Sequence, residues 1–139
     1  MLIFAYGTLT LPMIRDRVLG HPVDAEEAEL RGYSKVCGWD YLTLVPSDGV
    51  VRGVVFEADA GDMRLMDAWE DVPVYELVPV LVTTSEGDVE AHSYIMPEPP
   101  EHYEPVGDGC IAAIPIDEIA RDLERLMGPR RRAFHLSCI

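Results

Sequence analysis

Apolar and polar positions first separate at residues 2–6 (LIFAY), an unbroken apolar run that stops at Gly7-Thr8. A short continuous run bounded by turn residues predicts a buried strand delivered into a tight turn. Residues 11–19 follow with a short helix, Pro12 in its first turn and Gly20 as its stop. Segments 27–36 and 39–45 read as strands parted at Cys37-Gly38, and Ser47-Asp48-Gly49 reads as a turn. Residues 50–58 (VVRGVVFEA) predict a β-branched strand, and Gly53 inside it marks a bulge or a close backbone approach. The spacing becomes helical over 59–70. Residues 74–84 and 89–96 predict two more strands, joined by a Glu86-Gly87-Asp88 turn that fits a hairpin. Pro79 assigns the first of them an edge position or a bulge. Residues 97–105 are proline-rich and extended, crossing the surface or covering an opening. The last helix spans 117–127, with Asp117 as N-cap, Ile119, Ala120, Leu123, Leu126 and Met127 on one apolar face, and Gly128-Pro129 as its stop.

About six strands with two or three helices, in mostly β order, predict an α+β fold: a small mixed, curved sheet or β-barrel flanked by helices. The 139 residues suit one domain, 1–139, and 48% hydrophobic residues suffice to fill one core. The net charge of −14 makes nucleic acid a poor partner, because phosphate binding needs a basic face. The basic cluster Arg130-Arg131-Arg132 reads as compensation for the negative end of helix 117–127. No run approaches the ~20 apolar residues needed to cross a bilayer. Nor does the N-terminus carry a basic leader, so the expectation is a cytoplasmic protein with no membrane partner. Three cysteines (37, 110, 138) and four histidines (21, 92, 102, 135) form no metal-binding or disulfide pattern. No cofactor or metal is expected.

Two places carry candidate chemistry. Gly7 lets a ligand approach the main chain, and Thr8 adds a hydroxyl and another N–H. Such a strand end can hold an anion or a developing oxyanion. The second place is 62–70 (DMRLMDAWE). At about 100° per residue, Met63, Leu65, Met66 and Trp69 spread over one apolar side, and Glu70 falls between Met66 and Met63. A carboxyl on the rim of a buried face has its pKa raised, which suits it to proton transfer near neutral pH. Alternatively, Glu70 turns out to solvent or bonds a backbone N–H. Asp67, one turn earlier on the same side, is a supporting partner or simply solvated.

With both places in view, the chain resembles the γ-glutamylcyclotransferase-like family, which includes the plant avirulence-induced-gene-like proteins. The matching segments are Tyr6-Gly7-Thr8-Leu9 (YGTL), residues 30–33 (LRGY), and the stretch from Tyr41 through Pro46 to residues 51–56 (VRGVVF). Residues 66–75 (MDAWEDVPVY) match the family's glutamate-to-tyrosine segment. The similarity runs from residue 1 to about 96, leaving 97–139 as a C-terminal extension. The resemblance implies a β-barrel flanked by helices, with a cavity formed by the YGTL turn and the glutamate. It implies that Glu70 is the general acid/base and that main-chain N–H groups around Tyr6, Gly7, Thr8 and Leu9 hold the γ-glutamyl part of a small-molecule γ-glutamyl amide or amine. The α-amine of such a substrate attacks its own γ-carbonyl, giving 5-oxoproline and a free amine. Two positions depart from the family: Asp71 replaces a glycine that often follows the glutamate, and Leu77 replaces an arginine.

Other readings stay open. The same barrel can bind a small metabolite or a protein without chemistry. A cysteine-dependent acyl enzyme would use Cys110 with His102 or His135. Tyr75 is either a packed barrel residue or a hydroxyl lining the cavity. Leu42, Leu44, Val54, Val55 and Phe56 read as core. Residues 97–139 cap the site or form a homodimer contact, and Phe134-His135-Leu136 is apolar enough to dock.

Overall fold

A computed structural model of the protein describes residues 1–72, 74–112 and 115–127. The Arg130-Arg131-Arg132 cluster, the Gly128-Pro129 stop, Phe134-His135-Leu136 and Cys138 lie outside the described residues, as do the side chains of Leu126 and Met127. Strands β1 (Leu2–Ala5), β2 (Ala25–Gly38), β3 (Tyr41–Glu57), β4 (Glu76–Thr84), β5 (Gly87–Ile95) and β6 (Glu104–Pro105) combine with helices α1 (Pro12–Leu19), α2 (Ala60–Trp69) and α3 (Ile116–Met127). The sheet runs β3-β1-β5-β4-β2, and a further β2–β3 pairing closes it into a five-stranded barrel with β6 added on β2. Among the described residues only β1 and β5 pair in parallel, through Ile3 and His92, so the barrel is mixed.

The apolar run of β1 is buried on both faces because successive side chains point opposite ways. Ile3 and Ala5 pack with α1, α2 and α3 residues such as Val18, Met66, Trp69 and Ile119. Phe4 and Tyr6 pack in the other cluster, among Leu30, Leu42, Leu44, Val55 and Val82. The barrel wall is tight beside this strand. A β-carbon at Gly53 would run into the Ala5 carbonyl oxygen and approach the Phe4 ring to 2.9 Å, so the glycine marks a close backbone approach.

The β2–β3 hairpin departs from expectation. Its turn is Trp39-Asp40, with φ values of 51° and 65°, rather than Cys37-Gly38. Positive φ at both central residues gives the primed geometry that matches strand twist. Ser47-Asp48-Gly49 is no turn; it lies inside β3. The register passes from Arg31↔Val50 to Tyr33↔Pro46, so these three residues bulge opposite Gly32, whose φ is 90°. Their turn-forming chemistry is used to bend a long strand.

Pro79 pairs with His92 of β5, while β4 meets β2 only at Thr83 and Val82, so the proline occupies a locally free edge. The 97–105 segment crosses the hairpin end, where the His102 carbonyl, Pro100 and Tyr103 crowd Gly38. In α3, Ile119 and Leu123 are buried, but Ala120 is exposed, and Asp117 lies in the first turn rather than at the N-cap. Of the expected apolar face, the described side chains are Ile119, Ala120 and Leu123, and Ala120 alone of these departs from it.

Helix α2 starts at Asp59 with a capping box: Asp59 accepts from the Asp62 N–H at 2.8 Å, and Asp62 accepts from the Asp59 N–H at 3.0 Å. His21, just past α1, reaches the same Asp62 at 2.7 Å. That hydrogen bond raises the His21 pKa, helped by the Pro22 carbonyl. Burial pushes Asp62 up, but the Asp59 N–H and His21 outweigh it and leave its pKa lowered. The His21 contribution is therefore full below the ordinary histidine range and fades as pH rises through its raised pKa. The Asp62 contribution is present above the ordinary aspartate range and fades in acid. His21→Ala is expected to lower the melting temperature more at about pH 5.5 than at about pH 8.5. Equal losses at both would refute the pairing.

Candidate functional site

Glu70 is the C-cap of α2, and its N–H donates to the Met66 carbonyl at 2.7 Å. The helix direction carries its side chain inward, leaving it 3% exposed. Oxygen Oε2 is buried without a hydrogen-bond partner among the described residues. Burial first, and the nearby Asp67 charge second, raise the Glu70 pKa well above the ordinary glutamate value. Asp67 itself is exposed and accepts from the Tyr94 hydroxyl at 2.5 Å.

Opposite this carboxyl, Tyr6 leaves β1 and the chain tightens into a single 3₁₀ turn, Thr8–Thr10, with Gly7 as its cap. The Thr10 N–H and hydroxyl both donate to the Gly7 carbonyl, at 3.0 and 2.6 Å, and the Leu11 N–H donates to Thr8 at 3.1 Å. The N–H groups of Thr8 and Leu9 precede the first bond of the turn and have no partner within it. Residues Ile3 to Leu9, Glu70 and Tyr94 line one shared cavity of about 10 Å³. That is room for about one water molecule. The Trp69 indole N–H donates to the Thr8 hydroxyl at 2.9 Å, tying α2 directly to the turn.

Three phenols surround the carboxyl. Tyr6 donates to the Tyr94 carbonyl at 2.5 Å, and its pKa is raised well above the usual value by burial and by Glu70, against a pull from Thr43. Tyr94 is raised by burial, by its bond to Asp67 and by the charges of Asp67 and Glu70. Tyr75 is raised by burial and by its neighbours Tyr6 and Glu70. All three remain neutral donors. The Tyr75 hydroxyl, however, is committed to the Leu42 carbonyl at 2.6 Å, and Tyr75 does not line the shared cavity.

The structure therefore brings Tyr6, Gly7, Thr8, Leu9 and Glu70 together and sets Tyr75 behind them. Tyr94, Thr43 and the Trp69–Thr8 bond were not visible in the sequence pattern. Asp71 is buried, with φ of 55°, a left-handed conformation in which a glycine would be unstrained. Leu77 packs half-buried against the core.

Cys110 and His102 do not form a pair: the Cys110 thiol donates to the Ala112 carbonyl at 3.4 Å. His102 lies in a separate depression with Cys37, Trp39 and Tyr103, and His135 is outside the described residues. Burial and Cys110 raise the Cys37 pKa, which leaves that thiol unactivated. Among the described residues no group of three His, Cys, Asp or Glu side chains is placed to hold a metal ion. None of the described helices is long and apolar enough to cross a membrane. A second, open groove of about 560 Å³, lined by Glu27, Glu29, Arg52, Thr83 and Asp108, shares Tyr6 with the small cavity.

A family model described as "Gamma-glutamyl cyclotransferase, AIG2-like" matches residues 3–110, extending past the last motif legible in the sequence. No curated protein matches significantly. Among solved structures, a protein of Arabidopsis thaliana is 26% identical, with a TM-score of 0.61, over 68% of this chain and 61% of its own length. This chain thus spans less than two thirds of that relative. A gamma-glutamyl cyclotransferase is 24% identical (TM-score 0.59; 75% of this chain, 68% of that one). An AIG2-like protein of Mus musculus is 23% identical (TM-score 0.57; 72% and 79%). These last two similarities speak to the fold.

Proposed function

The chain belongs to the gamma-glutamyl cyclotransferase, AIG2-like family, and from that premise we propose that it converts a γ-glutamyl amide into 5-oxoproline and an amine, with Glu70 as general acid/base. One observation carries the reading: a buried carboxyl with an unpartnered oxygen lines the same hollow as the Tyr6–Leu9 turn.

The α-nitrogen of the substrate enters as an ammonium and must lose a proton before it can attack. A carboxylate in water is a weak acceptor for it. Burial raises the proton affinity of Glu70 and narrows that gap. The freed amine attacks the γ-carbonyl, forming the ring C–N bond, and the amide C–N bond breaks. Glu70 passes its proton to the departing nitrogen. The α-nitrogen sheds two protons in all, both of which end on the leaving amine, so the carboxylate is regenerated. Main-chain N–H groups of the turn stabilise the oxyanion or grip the α-carboxylate. Holding amine and carbonyl in contact supplies much of the rate.

A hollow of about 10 Å³ is smaller than a γ-glutamyl group, so entry requires the turn and α2 to part, stretching the Trp69–Thr8 link. The same small volume motivates a second reading, a non-catalytic barrel that takes a small metabolite in the open groove beside Tyr6. Incubating the purified protein with γ-glutamyl amino acids and γ-glutamyl alkylamines separates the two. Release of 5-oxoproline from at least one is expected. No product from a protein with a native melting curve would overturn the enzymatic reading.

A further inference from the structure

Lys35 is the only lysine in the chain, and it is inside the protein, 3% exposed. It lies on β2, and its ammonium donates to three carbonyls: Tyr6 at 3.1 Å, Asp108 at 3.1 Å and Cys110 at 2.7 Å. An ammonium has three donors, so all are used. Among the described residues no carboxylate contacts it; the nearby Asp108 side chain accepts instead from the Arg52 N–H at 3.2 Å. Burial lowers the Lys35 pKa, while the Asp108 and Cys110 charges oppose that. A charge so expensive to bury, whose direct partners are backbone oxygens with the Asp108 carboxylate near but not in contact, calls for a role.

The Tyr6 carbonyl belongs to the Tyr6–Gly7 peptide, whose N–H is that of Gly7, a residue lining the Glu70 hollow. A hydrogen bond donated into an amide carbonyl draws electron density from that amide's own N–H, making it a stronger donor. The other two bonds clamp the 108–110 segment to the same ammonium, and the Val106 N–H closes the clamp on the Lys35 carbonyl at 3.0 Å. Tyr6 is thereby held at both ends, its hydroxyl on Tyr94 and its carbonyl on Lys35.

We propose that Lys35 is a positioning residue of the Glu70 site: it fixes the Tyr6–Gly7 peptide from behind and strengthens the Gly7 N–H toward the oxygen that the hollow receives. The catalytic half of this inference rests on the cyclotransferase reading; the polarisation half does not.

The test uses both. In the wild-type protein with labelled lysine, one side-chain signal reports Lys35. The Gly7 amide resonance is expected to titrate with the same midpoint, while those of Gly20 and Gly87, in remote turns, stay put. In Lys35→Met, which keeps the length without charge or donors, the Gly7 amide is expected to move upfield. Its kcat for 5-oxoproline release is expected to fall at least about tenfold with KM changed less than about threefold. Lys35→Arg, which retains charge and several donors, is expected to recover most of both. A natively folded Lys35→Met with an unmoved Gly7 amide, or with unchanged kcat, overturns the proposal. So does a wild-type Gly7 amide that ignores the Lys35 titration, a result available even if Lys35→Met does not fold. A wild-type protein that releases no 5-oxoproline overturns the activity reading alone, because the amide titration needs no turnover.

Discussion

Glu70→Gln is expected to lose 5-oxoproline release while becoming harder to melt. The amide keeps the shape of the carboxyl and cannot carry the proton, so a loss of about 10²- to 10⁴-fold in kcat follows if the proposed general acid/base is removed. The stability change has the opposite sign. Burial raises the Glu70 pKa in the folded protein, so the native state binds its proton more tightly than the unfolded chain does. The wild type is unaffected at pH values below the ordinary glutamate range. Above it, native stability falls by about 1.4 kcal/mol per pH unit until the buried carboxyl ionises. The variant lacks this loss, so its melting temperature should match the wild type near about pH 4 and exceed it increasingly toward about pH 8. The acid limb of the wild-type kcat/KM profile should sit above the ordinary glutamate range for the same reason. Thermal melts across pH beside product assays check both halves. A variant that retains substantial turnover, or whose stability tracks the wild type at every pH, contradicts the assignment.

Gly53→Ala is expected to be the most damaging single methyl addition in the barrel wall. The new carbon would enter the Ala5 carbonyl oxygen and press on the Phe4 ring, at 2.9 and 3.0 Å from its nearest ring atoms. Ala5 pairs with Val54, so β1 and β3 cannot simply slide apart without losing that ladder. Overpacking against backbone of this kind costs about 3 kcal/mol, or roughly 10 °C in melting temperature for a chain of this size. Ala5 also immediately precedes Tyr6, so a displaced β1 moves the site turn. The expected variant melts early and loses turnover beyond what its unfolded fraction explains. A melting temperature within about 2 °C of wild type would show that the wall yields.

Much of this was legible because it is local. The apolar run at 2–6, stopped by Gly7-Thr8, reads as a buried strand, and residues on both of its faces are buried. Glu70 stood out because a carboxylate broke the helical pattern on the inward side, and the same periodicity sends it inside. Pro79 and Gly53 announced a free edge and a close approach because each residue type admits few alternatives.

The unread features depend on partners distant in the chain. Trp39-Asp40 adopts a turn usually built from Asn and Gly, with the positive φ values that match strand twist. Ser47-Asp48-Gly49 carries turn chemistry but meets a partner strand that continues past it. Tyr94 reaches the site through the parallel β1–β5 contact, which no local pattern encodes. Ala120 illustrates the limit of composition, since small apolar residues fit either face of a helix. Lys35 did leave a signal, as the only lysine in a strongly acidic chain. Its position in a predicted strand gave no hint that three carbonyls converge on it. The rise in the Glu70 pKa was foreseen; that Asp67 adds to it required the folded geometry.

The most direct test is a crystal structure of the protein soaked with 5-oxoproline. The account predicts the lactam ring lodged between the Glu70 carboxyl and the main-chain N–H groups of residues 7–9, with the Trp69–Thr8 link opened to admit it. A ring bound only in the open groove beside Glu27, Glu29 and Asp108, or no bound ring at saturating concentration, would contradict it.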